Sequence, residues 1–99
     1  MAGEARHWHI VMYDVSNPTV LRKTHKLLKG WGRPLQYSVF RVRCTVAGLE
    51  RLRCELEGIL EVDDRLLIAR LCDGCAGRVI MRGRDVVEFL KDPPPFTAV

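Results

Sequence analysis

Trp8-His9-Ile10-Val11-Met12-Tyr13-Asp14-Val15-Ser16-Asn17-Pro18 is the stretch on which the fold turns. Its first part, Trp8 to Asp14, predicts a strand carrying Ile10, Val11, Met12 and Tyr13 in succession. A strand apolar on both faces suits the centre of a sheet covered on two sides. Asn17 followed by Pro18 predicts a helix start, with the asparagine as cap and the proline at the first helical position, where no amide hydrogen is needed. Val20, Leu21, Thr24, Leu27, Leu28 and Trp31 then recur on one helical stripe, so the helix runs to about Lys29 and stops at Gly30 and Gly32.

Beyond the helix, Leu35 to Cys44 reads as a second strand, rich in aromatic and β-branched residues (Tyr37, Val39, Phe40, Val42). Thr45 caps a second helix through about Leu60, with Val46, Leu49, Leu52, Leu56, Ile59 and Leu60 as its stripe. Asp63-Asp64 breaks it, and Arg65 to Cys72 forms a third strand. Asp73-Gly74 signals a tight turn into a short strand at Arg78 to Met81, and Val86 to Leu90 forms a last, detached strand before the prolines at 93–95. Two helices crossing one face of an antiparallel sheet make a ferredoxin-like α+β sandwich. We divide the chain into a domain at 1–82 and a C-terminal strand and tail at 83–99. The detached strand either covers its own sheet edge or pairs with that of a second copy, and the second solution gives a two-fold homodimer.

The composition sets the class of partner. Ninety-nine residues, 47% of them hydrophobic, make one small domain that can complete its burial by pairing. Sixteen lysines and arginines against 12 acids leave +4 per chain, an excess that favours a polyanion. No run approaches the roughly 18 apolar residues of a membrane span. The first residues lack the apolar core of a secretory signal, so a cytoplasmic location and no membrane partner are expected. In that compartment Cys44, Cys54, Cys72 and Cys75 are expected to be reduced thiols.

Four features bear on chemistry. Asp14 ends the apolar strand where the chain leaves the sheet; it either caps the loop or presents its oxygens to a hydrated cation. A lone carboxylate is a thin Mg²⁺ site, and a two-fold axis beside it would supply a second. Arg22, Lys26 and Lys29 lie at i, i+4 and i+7 with Lys23 and His25 alongside and no acid among them. A solvated helix face ordinarily mixes signs, so this one reads as a phosphate-binding surface, with a plain solvent face as the alternative. Arg33, Arg41 and Arg43 extend the charge, the last two on one strand face that is not fully buried core. Cys72-Asp73-Gly74-Cys75 resembles half a zinc site; incidental thiols are the plain reading, zinc or redox roles the alternatives. His7 and His9 are read as facing solvent together.

The series Tyr13-Asp14-Val15-Ser16, Leu21-Arg22-Lys23, Lys26-Leu27-Leu28-Lys29-Gly30-Trp31-Gly32 and Arg33-Pro34-Leu35-Gln36-Tyr37-Ser38-Val39-Phe40 resembles the small CRISPR-associated family that accompanies the spacer integrase. The resemblance is close over residues 8–44, topological over 45–82 and weak in the tail. It implies a ferredoxin-like subunit, a homodimer with the C-terminal strand added to the partner's sheet, and a metal-dependent endoribonuclease or DNase working on RNA or DNA in spacer acquisition. It further implies that Asp14 is the catalytic residue and binds Mg²⁺ or Mn²⁺ at the dimer interface, flanked by Tyr13 and Ser16. Arg22, Lys23 and Arg33 match or adjoin nucleic-acid-contacting positions, to which the basic helix face adds Lys26, and Ser38 and Phe40 stand on the motif strand near the interface. Two departures stand out: Arg41 where an acid is common, and Asn17-Pro18-Thr19 in a loop that usually carries charges. The alternative within the family is a non-catalytic dimeric scaffold that holds duplex DNA for the integrase. Outside it, a small metal-regulatory domain would bind zinc at Cys72 and Cys75.

Overall fold

Asn17 sets the entry to the first helix: its Oδ1 accepts the Thr19 and Val20 amides at 2.9 and 3.4 Å, and Pro18 follows without an amide to satisfy. The structure, a computed structural model, describes residues 5–84 and Phe89. Strand β1 (His7–Asp14) leads into α1 (Pro18–Lys29), followed by β2 (Gly32–Gln36), β3 (Val39–Cys44), α2 (Val46–Glu57), β4 (Arg65–Leu71) and a single turn, α3 (Asp73–Ala76). The sheet order is β2-β3-β1-β4, with β1 antiparallel to both of its neighbours. That is the ferredoxin-like α+β arrangement expected from the sequence, since each helix connects strands that are not adjacent. No helix among the described residues is long and apolar enough to cross a membrane.

The strand bookkeeping differs in three places. Leu35 to Cys44 is not one strand: the chain reverses at Tyr37-Ser38, so β2 and β3 form a hairpin, with a register irregularity between Pro34 and Gln36. A two-residue reversal without Gly, Asn or Asp leaves no composition signal. Asp73-Gly74 opens α3 rather than a hairpin, because Cys72 caps the turn through its sulfur. Arg78 to Met81, expected as a short strand, forms none, and β4 is the edge of the sheet. Apart from Phe89, Val86 to Leu90 lies outside the described residues. The second helix ends at Glu57, capped by Gly58, and its first residue Val46 is exposed rather than part of the stripe.

Alternation along β1 sorts the sheet into two faces. Val11 and Tyr13 of β1 and Phe40, Val42 and Cys44 of β3 enclose the core with Val20 and Leu28 of α1 and Leu52 and Leu56 of α2. Leu66 and Ile68 of β4 pack against its edge. His9 belongs to this inner face, only 2% exposed, with Nδ1 3.7 Å from the Cys44 sulfur, and does not point to solvent. The expectation of a solvent pair failed because β1 begins at His7, which puts His9 in phase with Val11. His7 accepts a hydrogen bond from Arg70 of β4 at its Nε2, 3.0 Å away.

Gly32 permits the close approach of β2 to β3. A Cβ there would collide with the Arg41 carbonyl oxygen and stand 3.0 Å from Val42 Cγ2. Gly32→Ala should therefore destabilise the fold by roughly 2–4 kcal/mol in urea unfolding. Gly58→Ala, whose added methyl meets nothing closer than 3.5 Å, should stay within about 0.5 kcal/mol of the parent protein. Equal losses for the two would show that the β2–β3 approach is not the constraint.

Burial, assisted by electrostatic repulsion from His7 and Arg70, holds His9 below its ordinary 6.5, against hydrogen bonds with the backbone of Val42 and His7. A base depressed on folding is protonated first in the unfolded chain. Its contribution is intact above pH 6.5 and is lost as pH falls through the depressed folded value. Stability measured between pH 7.5 and 5 should decline on the acid side, and His9→Gln should flatten that slope. An unchanged slope in the variant would assign the pH sensitivity to other groups.

Candidate metal and nucleic-acid site

The last two residues of β1 diverge in consequence of the pleat. Tyr13 turns into the core, where its hydroxyl donates to the Tyr37 carbonyl at 3.2 Å and lies 3.2 Å from His25 Nδ1. Its backbone N–H donates to the Ser38 carbonyl at 3.1 Å, tying the β2–β3 reversal to the end of β1. Burial, then the neighbouring Tyr37, pushes the Tyr13 phenol above its ordinary range, so it remains a neutral donor. Asp14 turns the other way, exposed on the face the long helices leave uncovered, and pairs in register with Arg65 of β4. A clamped tyrosine thus holds the backbone beneath an accessible carboxylate.

The other residues expected near the site separate into two roles. Phe40 is fully buried in the core, and Tyr13 stacks on it with ring centroids 6.3 Å apart. Ser38 is half-buried and acts through its carbonyl, while Ser16 is exposed in the loop after β1. His25 is not on the basic face: it is half-buried, stacked on Tyr37 at 6.1 Å and edge-on to Phe40 at 5.2 Å. It directly follows Thr24, which is buried and hydrogen-bonded to the Val20 carbonyl, and its ring turns toward Tyr13, Tyr37 and Phe40. Asn17-Pro18-Thr19, a departure from the family pattern, serves as the helix cap.

Arg22, Lys23, Lys26 and Lys29 are all exposed along α1, and the first turn of that helix holds no acid. Lys23 and Lys26 line an open cleft of about 400 Å³ with Leu27, Gly30, Trp31 and Ile59. The indole of Trp31 is also faced by the Arg51 guanidinium, 5.5 Å from its centroid. Lys26 lies about 12 Å along the helix axis from Pro18. Arg33, exposed on β2, pairs with Arg41, which pairs with Ile10, about 13 Å along β1 from Asp14. The predicted cations therefore line α1 and β2, while the cation in register with the carboxylate is the exposed Arg65.

Arg41 departs from the sequence reading in being buried, at 8% exposure, although it lies on the face opposite the helices. Its guanidinium stacks 4.4 Å from the Trp8 ring centroid and 5.8 Å from that of Phe89, and Phe89 meets Trp8 edge-on at 5.4 Å. Arg43 approaches the same indole at 5.6 Å. Burial, then repulsion from Arg33, draws the Arg41 guanidinium below its ordinary value. A cation over an indole face is attracted by the ring quadrupole, most strongly where water is excluded. Neither the Trp8 stack nor the half-buried position of His25 was visible in the sequence, because both depend on residues brought together from separate elements.

The test of whether these side chains suit a divalent cation rests on Asp14. Hard cations such as Mg²⁺ take one or two carboxylates and complete their shell with water and phosphate oxygens. An exposed carboxylate on a rigid strand end fits that requirement. Among the described residues no group of three or more His, Cys, Asp and Glu side chains gathers into a further site. Across β4, the residue in register with this carboxylate is Arg65 and not a second acid.

Comparison with known proteins adds an independent line. The family described as CRISPR associated protein Cas2 matches residues 7–79. The chain is 32% identical over 90 residues to the CRISPR-associated endoribonuclease Cas2 1 of Chloroflexus aurantiacus, covering 89% of this chain and 88% of that one. A solved structure titled as a Cas2 crystal structure superposes with a TM-score of 0.69 at 33% identity, covering 85% of this chain and 97% of that chain. A hypothetical protein from Thermus thermophilus gives a TM-score of 0.72 at 30% identity, covering 80% and 93% respectively.

Proposed function

Because the chain belongs to the CRISPR-associated Cas2 family, we propose that it acts as a homodimer in spacer acquisition, binding RNA or DNA and cleaving phosphodiester bonds with Mg²⁺ or Mn²⁺. The observation that carries this reading is Asp14, exposed at the end of a strand whose preceding residue is locked in the core. The relatives' designation as endoribonucleases supports a nuclease, and the charge of +4 supports a polyanionic substrate. The cytoplasm, where nucleic acid and integrase meet, is the compartment we assign.

The uncovered sheet face supports pairing. Met12 and Leu67 are register partners there, 41% and 52% exposed, with Ile10, Ala69 and Leu71 around them. Apolar side chains in a row across two strands favour a second copy over water. In a two-fold pair built on this face, the Asp14 carboxylates of the two chains would hold the cation. When bound, the cation supplies charge neutralisation at phosphorus and a more acidic water. Tyr13 keeps the carboxylate-bearing backbone in place through its bonds to Tyr37 and His25. Arg22, Lys23, Lys26 and Arg33 hold phosphates along the tract leading from the site, and the integrase is the protein partner we assign.

A second reading is favoured by Arg65, not a second acid, standing in register with Asp14: the dimer is a scaffold that holds duplex DNA through its phosphates while the integrase joins the ends. Asp14→Asn separates the two. Under the enzymatic reading, Mg²⁺-dependent cleavage of single-stranded RNA or duplex DNA should fall by at least about 100-fold, the equivalent of about 2.7 kcal/mol, while sedimentation and nucleic-acid affinity stay unchanged. Cleavage that persists in the variant, or in EDTA, would overturn the metal reading. Cleavage absent from the parent protein with affinity intact would select the scaffold.

The basic tract has its own readout. Replacing Lys23 and Lys26 together by alanine should lower the slope of log affinity against log salt by up to about 2 per chain on duplex DNA. An unchanged slope would return these lysines to an ordinary solvent face.

A further inference from the structure

Cys72 and Cys75 stand one helical turn apart at the end of β4, and both are exposed. Cys72 caps α3: its sulfur accepts the Cys75 backbone N–H at 3.3 Å, and its carbonyl accepts the Ala76 N–H at 2.9 Å. The two bonds hold the cysteines on one closed turn. Residues three apart in such a turn fall within the roughly 4.4–6.8 Å Cα span that a disulfide bridges. Buried Ala76 anchors the turn, which contacts both β1 and β4. Cys44, by contrast, is enclosed beside His9, and Cys54 is exposed on α2 far along the chain from the pair.

We propose that Cys72 and Cys75 form a reversible thiol–disulfide site that exchanges with low-molecular-weight disulfides of the glutathione class. The Cys72 thiolate attacks one sulfur of the oxidised disulfide, whose S–S bond breaks. The expelled glutathione thiolate takes up a proton. Cys75 then loses its proton and attacks the Cys72 sulfur of the mixed disulfide, releasing the second glutathione. Two protein thiols are oxidised to one disulfide, and one glutathione disulfide is reduced to two thiols.

The surroundings assign the order of attack. The Cys75 backbone N–H, together with the Cys75 side chain, draws the Cys72 thiol below its ordinary value, whereas hydrogen bonding to Cys72 and its charge raise Cys75. Thiolate character and access govern which cysteine reacts first, so Cys72 attacks and Cys75 resolves. This chemistry depends on α3 alone and is independent of the nuclease reading.

The test equilibrates the full chain in buffers of varied reduced-to-oxidised glutathione ratio, followed by acid quench, alkylation and mass spectrometry. The parent protein should lose two hydrogens in a reversible transition, with the bridge mapped to Cys72 and Cys75. Cys75→Ser should trap one glutathione on Cys72, at least about threefold faster than Cys72→Ser traps it on Cys75. Serine also caps helices, so the Cys72→Ser fold is protected, and circular dichroism checks it. No Cys72–Cys75 bridge at any ratio, or glutathione carried on Cys54 alone, would overturn the site. Faster trapping on Cys75 would overturn the assigned order.

Discussion

Consecutive side chains of β1 must leave the strand on opposite sides, and the rest of the structure depends on how Tyr13 and Asp14 meet that constraint. Tyr13 goes inward, where a buried phenol requires partners and finds the Tyr37 carbonyl and the His25 ring. Once Tyr13 is anchored, Asp14 has no inward option, and its carboxylate stands on the uncovered face. The backbone bond from Tyr13 to Ser38 extends the anchor to the β2–β3 reversal. The hairpin, the first helix and the end of β1 are thereby tied at one corner, and the candidate site inherits its rigidity from that corner.

The two faces of the sheet are stabilised by different means. The inner face is a continuous apolar core shared with both helices, into which His9 and Thr24 fit with hydrogen-bond partners. On the outer face, the region around Trp8 is covered by Arg41 and Phe89 and is stabilised by cation–π contact as well as apolar burial. The region around Met12 and Leu67 has no such cover among the described residues. Apolar exposure and the exposed Asp14 therefore coincide on one face, which is why pairing and metal binding are linked in the function we assign. Arg22, Lys23 and Lys26 lie on α1 and Arg33 on β2, so in the function we assign phosphates and a cation would be held by different side chains.

Much of this was readable from the chain. Asn17-Pro18 announced α1, because a cap and an amide-free first position are local requirements. The Thr45 cap and the stripe of α2 were equally local, and so was Asp14 at a strand end. The series from Tyr13 through Phe40 identified the family. Local signals and period-two alternation therefore determined the helices, the class of fold and the candidate carboxylate. What only the tertiary structure decided is where strands reverse and which polar groups are enclosed. The Tyr37-Ser38 reversal is held by a bond from β1, not by turn-forming residues. His9 and Arg41 are buried, and His25 half-buried, against Cys44, Trp8, Phe89 and Tyr13, each distant in sequence from its partner. Contacts of that kind arise only when separate elements dock, so no single stretch of sequence contains them.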